Sequence, residues 1–310
     1  MSLKKMGLLA IAGILIVAGA LIVFRDHVIG TKNAQAELAD LGSLYEATEE
    51  IAATREQFQK GMEPAEIVTK DEKPHVAIVI DGLPDRTTTA RLLDVLKKHG
   101  ASAVFFVEGQ NAANQPETIE LIREAGQEIG NYTFVGVAAA QELPQERLLA
   151  EICRTQRVVE VLAVAPPKLF RSPRTVYDEE LLRALRAAGV ECAVKESAHY
   201  APGWLKDEAG AAAYAATVPA GSIIAIDIAV PVEAPAQDVA VEDARPAVDK
   251  QPTVEDKPAE ERKAAPVDAA DELDWLLTAL ESTGKTPGNI HEFRRIHYVP
   301  AAPSAAVQGK

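Results

Sequence analysis

The chain has 310 residues, of which 47% are hydrophobic, and a formal net charge of −14. That length is enough for one sizeable domain with accessory segments. Acidic residues outnumber basic ones 46 to 32, without a long basic cluster, which argues against a nucleic-acid-binding protein, since phosphate backbones require a basic surface. Net charge does not favour anionic glycans or lipids either, so binding one of them would require a local pocket.

The N-terminus carries two lysines, Lys4 and Lys5, followed by an uncharged apolar run over residues 7–24. A membrane-spanning helix needs roughly 17–25 apolar residues, whereas the apolar part of a cleaved signal peptide has roughly 7–15. The run is therefore predicted to be a retained signal anchor, with cleavage after the small residues at 18–20 as the alternative. Lysines before the span favour a cytoplasmic tail over 1–6 and an extracytoplasmic domain, in a single-pass protein of the cell membrane.

Residues 25–73 are predicted to form a helical stalk and linker close to the membrane. Ala, Glu and Gln are abundant from Asn33 to Met62, where apolar residues recur at roughly helical spacing. A short coiled coil is the alternative, but the heptads are few and irregular.

From residue 74 to residue 229, short apolar runs alternate with amphipathic helical segments, which is typical of a parallel sheet with crossover helices. The predicted strands, in chain order, are HVAIVID, SAVFFVEG, EIGNY, KLFRS, VECAVK and GSIIAIDIAV. This alternation predicts an α/β barrel, in which chemistry is expected where strands end and loops begin.

Residues 230–269 are rich in Pro, Ala and acidic residues and almost lack aromatic and large aliphatic side chains. Such a segment cannot bury enough apolar surface to offset the entropy of ordering, so it is predicted to be a disordered insert. An amphipathic helix then resumes, and residues 270–299 are predicted to complete the barrel before a disordered tail over 300–310.

The sequence has two cysteines, Cys153 and Cys192. In an extracytoplasmic domain a disulfide could join them, but the sequence does not show that they meet. Two small buried hydrophobic residues are the simpler interpretation.

Three stretches in the middle of the chain resemble the polysaccharide deacetylases that carry the nodulation-protein B homology domain. They are VAIVIDGLPD, GASAVFFVEGQNAANQPETIELIREAGQEIGNYTF and LFRSPRTVYDEELLRALRAAGV. The resemblance runs from about His75 to Asp227 and includes the final helix. It implies a distorted (β/α) barrel that removes acetyl groups from chitin, peptidoglycan, xylan or related polymers with a divalent metal, commonly zinc.

The motifs of that family imply roles for three residues of this sequence. Asp81 stands at the position of the general base, Arg171 at the position of the arginine that pairs with it, and Asp227 where the family has its general-acid histidine. These candidate catalytic residues are expected to converge at the barrel mouth, where two carboxylates can separate in pKa and act as acid and base. The alternative is an ion pair between Asp81 and Arg171 that joins two strand ends, beside a solvated Asp227.

The metal ligands of the family have no counterpart here, because the resemblance aligns them with Gly82, Tyr132 and Gly136. Glycine has no side chain to coordinate a metal, and tyrosine coordinates only as a phenolate, although its reference pKa is about 10. The histidines show no short spacing that would place a pair on one helical turn or strand face. No cofactor is therefore expected, although the family uses zinc; a metal site rebuilt from other residues is the alternative.

Tyr132, Arg174 and Trp204 are the candidate ligand-binding residues. Arg174 replaces the aromatic residue of the RxPY motif of the family. Trp204 corresponds to an aromatic residue that the family places in a wall of the acetyl pocket, with core or loop packing as the alternative.

The retained scaffold and the missing ligands predict a membrane-anchored polysaccharide deacetylase-like protein that is a pseudoenzyme. It would bind cell-envelope polysaccharide, peptidoglycan or an envelope partner through its cleft. Two alternatives stay open. One is an active carbohydrate deacetylase or esterase with a rearranged site, and the other is a structural envelope scaffold in which the acidic insert recruits partners.

Overall fold

The computed structural model of the protein describes residues 46–229 and 268–299. Eight α-helices and ten strands lie within these two ranges. The helices are α1 (Thr48–Gln59), α2 (Arg86–Lys98), α3 (Gly109–Asn114), α4 (Pro116–Glu124), α5 (Gln145–Ala163), α6 (Glu179–Ala187), α7 (Glu208–Thr217) and α8 (Ala269–Ser282). The strands are β1 (Glu66–Thr69), β2 (His75–Asp81), β3 (Ala103–Val107), β4 (Glu128–Asn131), β5 (Leu169–Phe170), β6 (Cys192–Val194), β7 (Ala198–Tyr200), β8 (Ser222–Asp227), β9 (Thr286–Pro287) and β10 (Arg294–Ile296).

The strands form one sheet in the order β10, β1, β6, β5, β4, β3, β2, β8, β7, with β9 paired to the start of β2. All pairs are parallel except β1 with β10, which is antiparallel. Among the described residues, the edge strands β7 and β10 do not pair with each other, so the predicted barrel is an open, curled α/β half-barrel. Because parallel neighbours end at the same edge, loops that follow several strands share one side of the molecule.

The centre of the sheet is covered on both faces. All seven residues of β2 and all five of β3 are buried, as expected for parallel strands between two helical layers. Helix α2 shows how a covering layer forms: Leu92, Leu93 and Leu96 lie on its buried face, and the carboxylate of Asp85 accepts hydrogen bonds from the backbone N–H groups at the helix N-terminus.

The six strands predicted from apolar runs are all present, and HVAIVID matches β2 residue for residue. Other runs overshoot, because an apolar run marks burial and not where pairing ends; KLFRS contains only the two-residue strand β5. Four short strands, β1, β7, β9 and β10, were not predicted, since each has at most four residues and three of them are largely unburied.

Of the stalk and linker predicted over residues 25–73, residues 25–45 lie outside the described residues. Over residues 46–73 the structure differs from the prediction, because it places α1 and β1 within the domain. Ile51 and Phe58 of α1 pack against the apolar core that α5 and α6 also line, and Thr54 is buried beside the Sγ atom of Cys153 at 3.3 Å. Strand β1 lies between β6 and β10. Helical spacing shows that a helix has an apolar face, but not what covers that face.

Several predicted segments lie outside the described residues: the cytoplasmic tail over 1–6, the anchor over 7–24, the insert over 230–267 and the terminal tail over 300–310. Across 46–229 and 268–299, none of the helices has the length and apolar character that spanning a membrane requires. The last two residues of the predicted insert belong instead to the next helix, because Asp268 caps α8 by accepting a hydrogen bond from Ala270 N at 2.8 Å.

Cys153 and Cys192 are both free and buried, so the disulfide that the sequence left open is not formed in this structure. Burial raises the pKa of the Cys153 thiol to about 11. The two residues behave as small hydrophobic side chains.

Candidate functional site

The candidate site lies at the carboxyl ends of the strands. Asp81 ends β2, Asp227 ends β8 directly beside it in register, and Arg171 follows the end of β5. The structure thus brings together the three residues that the sequence motifs single out. Parallel pairing explains this, because it places successive strand ends along one edge.

Arg171 is the central cation of the site. Its Nε atom donates to both carboxylate oxygens of Asp81, at 2.8 and 2.7 Å, and its Nη1 atom donates to Glu196. The side chains of Arg171 and Asp81 are 4% and 1% exposed. Asp81 and Arg171 therefore form an ion pair, as the alternative to a catalytic role expected. The pair is buried, and Glu196 shares the guanidinium of Arg171.

The site holds more negative than positive charge. Burial raises the pKa of Asp81 to about 6, although Arg171 opposes the rise and Asp227 and Glu196 add to it. Burial also raises the pKa of Asp227, which is half-buried and not fully solvated. Burial alone would raise the pKa of Glu196, but the charge of Arg171 outweighs it and holds that pKa below its usual value.

Glu196 and His199 belong to the site but were not predicted as members of it. Glu196 lies two residues beyond β6, and the imidazole of His199, on β7, opposes the rise in the pKa of Asp227. The histidine was considered only for metal spacing. A signal was available, because Glu196 stands at the end of a predicted strand, as Asp81 and Arg171 do.

The position that the family fills with its metal-binding Asp is closed in this fold. Gly82 has a φ of +94°, and a Cβ atom there would lie 2.4 Å from Cβ of Ala229 and 2.8 Å from its backbone nitrogen. That crowding arises because Ile228 N and Ala229 N both donate to the carbonyl oxygen of Asp81, which draws the segment after β8 across the glycine. A side chain at position 82 would have to displace backbone.

The two remaining ligand positions are equally unsuited to a metal. Tyr132 is 2% exposed and packs in an apolar cluster, and burial raises the pKa of its phenol far above the usual range, so the phenolate form is unavailable. Gly136 has no side chain, and the nearest neighbour of a Cβ built there is Cγ of Glu108, at 3.2 Å. The Glu108 carboxylate is itself engaged, because it accepts a hydrogen bond from Leu83 N at 2.8 Å.

The side chains present therefore do not fit the zinc ion that the family uses. Among the residues that the structure describes, no group of three His, Cys, Asp or Glu side chains is arranged to hold a metal ion. At the three family positions, two residues have no donor atom and the third is a buried, neutral phenol.

The turn that carries these positions is nevertheless tightly built. Glu151 of α5 accepts hydrogen bonds from Phe134 N at 2.9 Å and Val135 N at 3.1 Å. The buried Asn131 accepts from Thr133 N and donates to Ile152 O. These hydrogen bonds hold the turn that carries Tyr132 and Gly136, although neither residue can coordinate a metal.

The three predicted ligand-binding residues occupy different surroundings. Tyr132 lies in the core, so its ring is not accessible to a ligand, which corrects that prediction. The charges of Asp81 and Glu108 act on its phenol, but the ring itself stays buried. Arg174 is exposed on a turn with a φ of +53°. Trp204 is 58% exposed, with its ring centroid 5.8 Å from that of His199.

Residues 69–193 match the family described as polysaccharide deacetylase. A peptidoglycan-N-acetylglucosamine deacetylase from Bacillus cereus is 34% identical over 116 residues, which is 37% of this chain and 41% of that protein. The peptidoglycan-N-acetylmuramic acid deacetylase PdaC from Bacillus subtilis is 30% identical over 118 residues, which is 38% of this chain and 25% of that protein. The chain thus spans less than half the length of either relative.

Solved structures show the same fold. A CE4 family pseudoenzyme from Bacillus anthracis superposes with a TM-score of 0.54 at 17% identity, over 76% of this chain and 70% of that one. PdaA from Bacillus subtilis, a family 4 carbohydrate esterase, gives a TM-score of 0.54 at 20% identity, over 74% and 84% of the two chains. At these identities the likeness concerns the fold alone.

Proposed function

Because the chain carries a polysaccharide deacetylase domain over residues 69–193, we propose that it binds acetylated cell-envelope glycan through the cleft of that domain and does not catalyse metal-dependent deacetylation. The observation that carries this proposal is the closure of the metal site. Gly82 is covered by the backbone after β8, and Tyr132 is buried and neutral. The ion pair and the turn around that site are intact, which supports a role that uses the shape of the cleft.

The glycan follows from the relatives, whose names describe peptidoglycan and chitooligosaccharide deacetylases. A binding protein on the same fold is expected to meet the same class of polymer, with N-acetylated sugars along its length. The state of Arg171 agrees with a neutral glycan, because two carboxylates already share its charge.

Two measurements on the full chain test this proposal. Titration calorimetry with zinc is expected to show no stoichiometric binding up to millimolar metal. The protein is expected to sediment with purified peptidoglycan sacculi, and soluble N-acetylglucosamine oligomers should compete for it and reduce the sedimented fraction. Stoichiometric zinc accompanied by acetate release would contradict the proposal. Failure to sediment with sacculi would contradict its glycan-binding part.

An active esterase without metal is the second candidate, and one observation favours it. Burial raises the pKa of Asp81 to about 6, near the value that a general base needs, and also raises that of Asp227 beside it. Acetate release from acetylated chitooligosaccharides should then disappear in Asp81→Asn and persist in Asp94→Asn, a matched change on the exposed face of α2. Equal release by both variants and the wild type would remove this candidate.

For localisation, we propose a single-pass membrane protein with the domain outside the cytoplasm, because residues 7–24 form an uncharged apolar run after two lysines. A C-terminal alkaline phosphatase fusion, which is active only after export, is expected to be active. Deleting residues 1–24 should abolish that activity; an active fusion after the deletion would contradict the proposed anchor.

A further inference from the structure

The loop between β7 and α7 presents an aromatic side chain on the side of the molecule where Asp81 and Asp227 end their strands. Trp204 is 58% exposed, and it is the only aromatic residue among the exposed large hydrophobic side chains of the described part of the chain. Its neighbour His199 interacts with Asp227 and Glu196, and at both carboxylates it opposes the rise in pKa that burial causes. An exposed indole of this kind offers a flat apolar surface next to polar groups.

The position of that loop depends on one carboxylate from a distant part of the sequence. Glu272, in the first turn of α8, is fully buried, and it accepts hydrogen bonds from Gly203 N and from Leu205 N, the latter at 2.9 Å. These two donors flank Trp204 on either side. The carboxylate therefore fixes the backbone that aims the indole.

Burying a carboxylate is unfavourable unless its oxygens are satisfied. Here one oxygen serves each donor, and both donors belong to the loop and not to the sheet or to a neighbouring helix. The charge is also favourably placed in the first turn of α8. Hydrogen bonds to a charged acceptor are short and directional, so the arrangement restricts the loop more than apolar packing would.

We propose that Glu272 is a positioning residue for carbohydrate binding, which holds Trp204 beside His199 so that the apolar face of a sugar ring stacks on the indole. This inference rests on the proposed function of the cleft. It assigns a role to α8, which follows the insert and lies beyond the residues that match the family. The ligand class is a pyranose polymer, since sugar rings present flat apolar faces to aromatic side chains.

The chain has two tryptophans, so Trp275→Phe, a conservative change at a half-buried position of α8, leaves Trp204 as the single reporter. In this parent protein, steady-state anisotropy and acrylamide quenching report the mobility of the Trp204 loop. Calorimetry with the N-acetylglucosamine pentasaccharide measures affinity. The test variant is Glu272→Gln, and the matched control is Glu281→Gln, an exposed glutamate of the same helix that pairs with His99.

Glu272→Gln is expected to lower the anisotropy of Trp204, to increase quenching and to weaken pentasaccharide binding about tenfold, the loss of about one aromatic contact. Glu281→Gln should match the parent in all three. Because Glu272 is buried, Gly203→Ala provides a second variant. Gly203 has a φ of +94° with open space around it, so an alanine strains the loop backbone without touching the core.

A double-variant cycle, carried out with Trp275 retained, separates positioning from general loss of structure. If Glu272 acts through the indole, Trp204→Ala and Trp204→Ala/Glu272→Gln bind the pentasaccharide equally weakly. If the losses of affinity in the double variant are additive, the inference is overturned. It is also overturned if the anisotropy of Trp204 is unchanged in both Glu272→Gln and Gly203→Ala, or if the anisotropy falls while the affinity for the pentasaccharide stays that of the parent. A parent protein that does not bind the pentasaccharide at all would instead overturn the proposed function on which the inference rests.

Discussion

Replacing Arg171 by Met should make the free energy of unfolding much more dependent on pH than it is in the wild type. Arg171 donates to both oxygens of a carboxylate that is 1% exposed. Without the guanidinium, Asp81 is a buried charge beside the carboxylates of Asp227 and Glu196. Removing one partner of a buried pair typically destabilises a protein by about 3–5 kcal/mol, but Asp81 can escape that cost by binding a proton.

The magnitude follows from the pKa of Asp81, which burial raises from 3.8 to about 6 in the presence of Arg171. Where the folded state binds more protons than the unfolded chain, stability falls as pH rises. Between pH 5 and pH 8, this group alone lowers the stability of the wild type by about 1.4 kcal/mol. Without the opposing cation the pKa of Asp81 rises further. Fully buried carboxyl groups in proteins reach pKa values of roughly 8–9, and for a group in that range the loss over the same interval approaches about 4 kcal/mol.

Urea denaturation followed by circular dichroism at pH 5, 6, 7 and 8 measures this difference. Arg171→Met should lose about 2–3 kcal/mol more than the wild type between the two extremes. Asp81→Asn/Arg171→Met lacks the buried acid, so its free energy of unfolding should fall no more than that of the wild type between pH 5 and pH 8. The same is expected of Arg183→Met, which removes an exposed arginine of α6 that pairs with Glu179. A destabilisation by Arg171→Met that is equal at pH 5 and pH 8 would refute the charge argument.

Three further changes test the structure around the site. Gly82→Ala should lower the free energy of unfolding by about 3 kcal/mol or more. The control Gly126→Ala, at a glycine that also has a positive φ but no neighbour within 4 Å, should lower it by only about 1 kcal/mol. Similar losses in the two variants would contradict the claim that Ala229 crowds position 82. Glu151→Ala should lower the free energy of unfolding by about 2–4 kcal/mol, because the buried N–H group of Phe134 and the half-buried one of Val135 lose their acceptor. The exposed control Glu160→Ala should cost less than about 0.5 kcal/mol, and urea denaturation measures both. Deleting residues 1–73 removes α1 and β1 and should abolish cooperative thermal unfolding, and a two-state transition in that fragment would show that β1 is dispensable.

The sequence predicted the central strands well and the edges poorly, for a physical reason. All seven residues of β2 are buried, so the stretch HVAIVID stands out in the sequence over the whole length of the strand. Strand β10 has no buried residue, and its pairing with β1 depends on long-range contacts that leave no local pattern. The helix of α1 was visible in the sequence, but its packing partner was not.

At the site, Asp81, Arg171 and Asp227 could be found because they stand at the motif positions of the family that the sequence resembles, and the paired strand ends of β2 and β8 place Asp81 beside Asp227. Glu108 and Glu272 could not be found in this way. Each is a buried carboxylate that satisfies backbone N–H groups of another segment. An isolated glutamate in an amphipathic sequence looks the same whether it faces solvent or holds a distant loop.

The antiparallel pair at the edge of the sheet has a mechanical consequence. Ile67 of β1 lies opposite Ile296 of β10, so the chain enters and leaves the sheet at the same corner. Tension applied between Glu66 and Ile296 would pull on this three-residue ladder first and open its hydrogen bonds one after another, in the manner of a zipper. The parallel strands that carry Asp81 and Asp227 would not bear the load until β10 had peeled away.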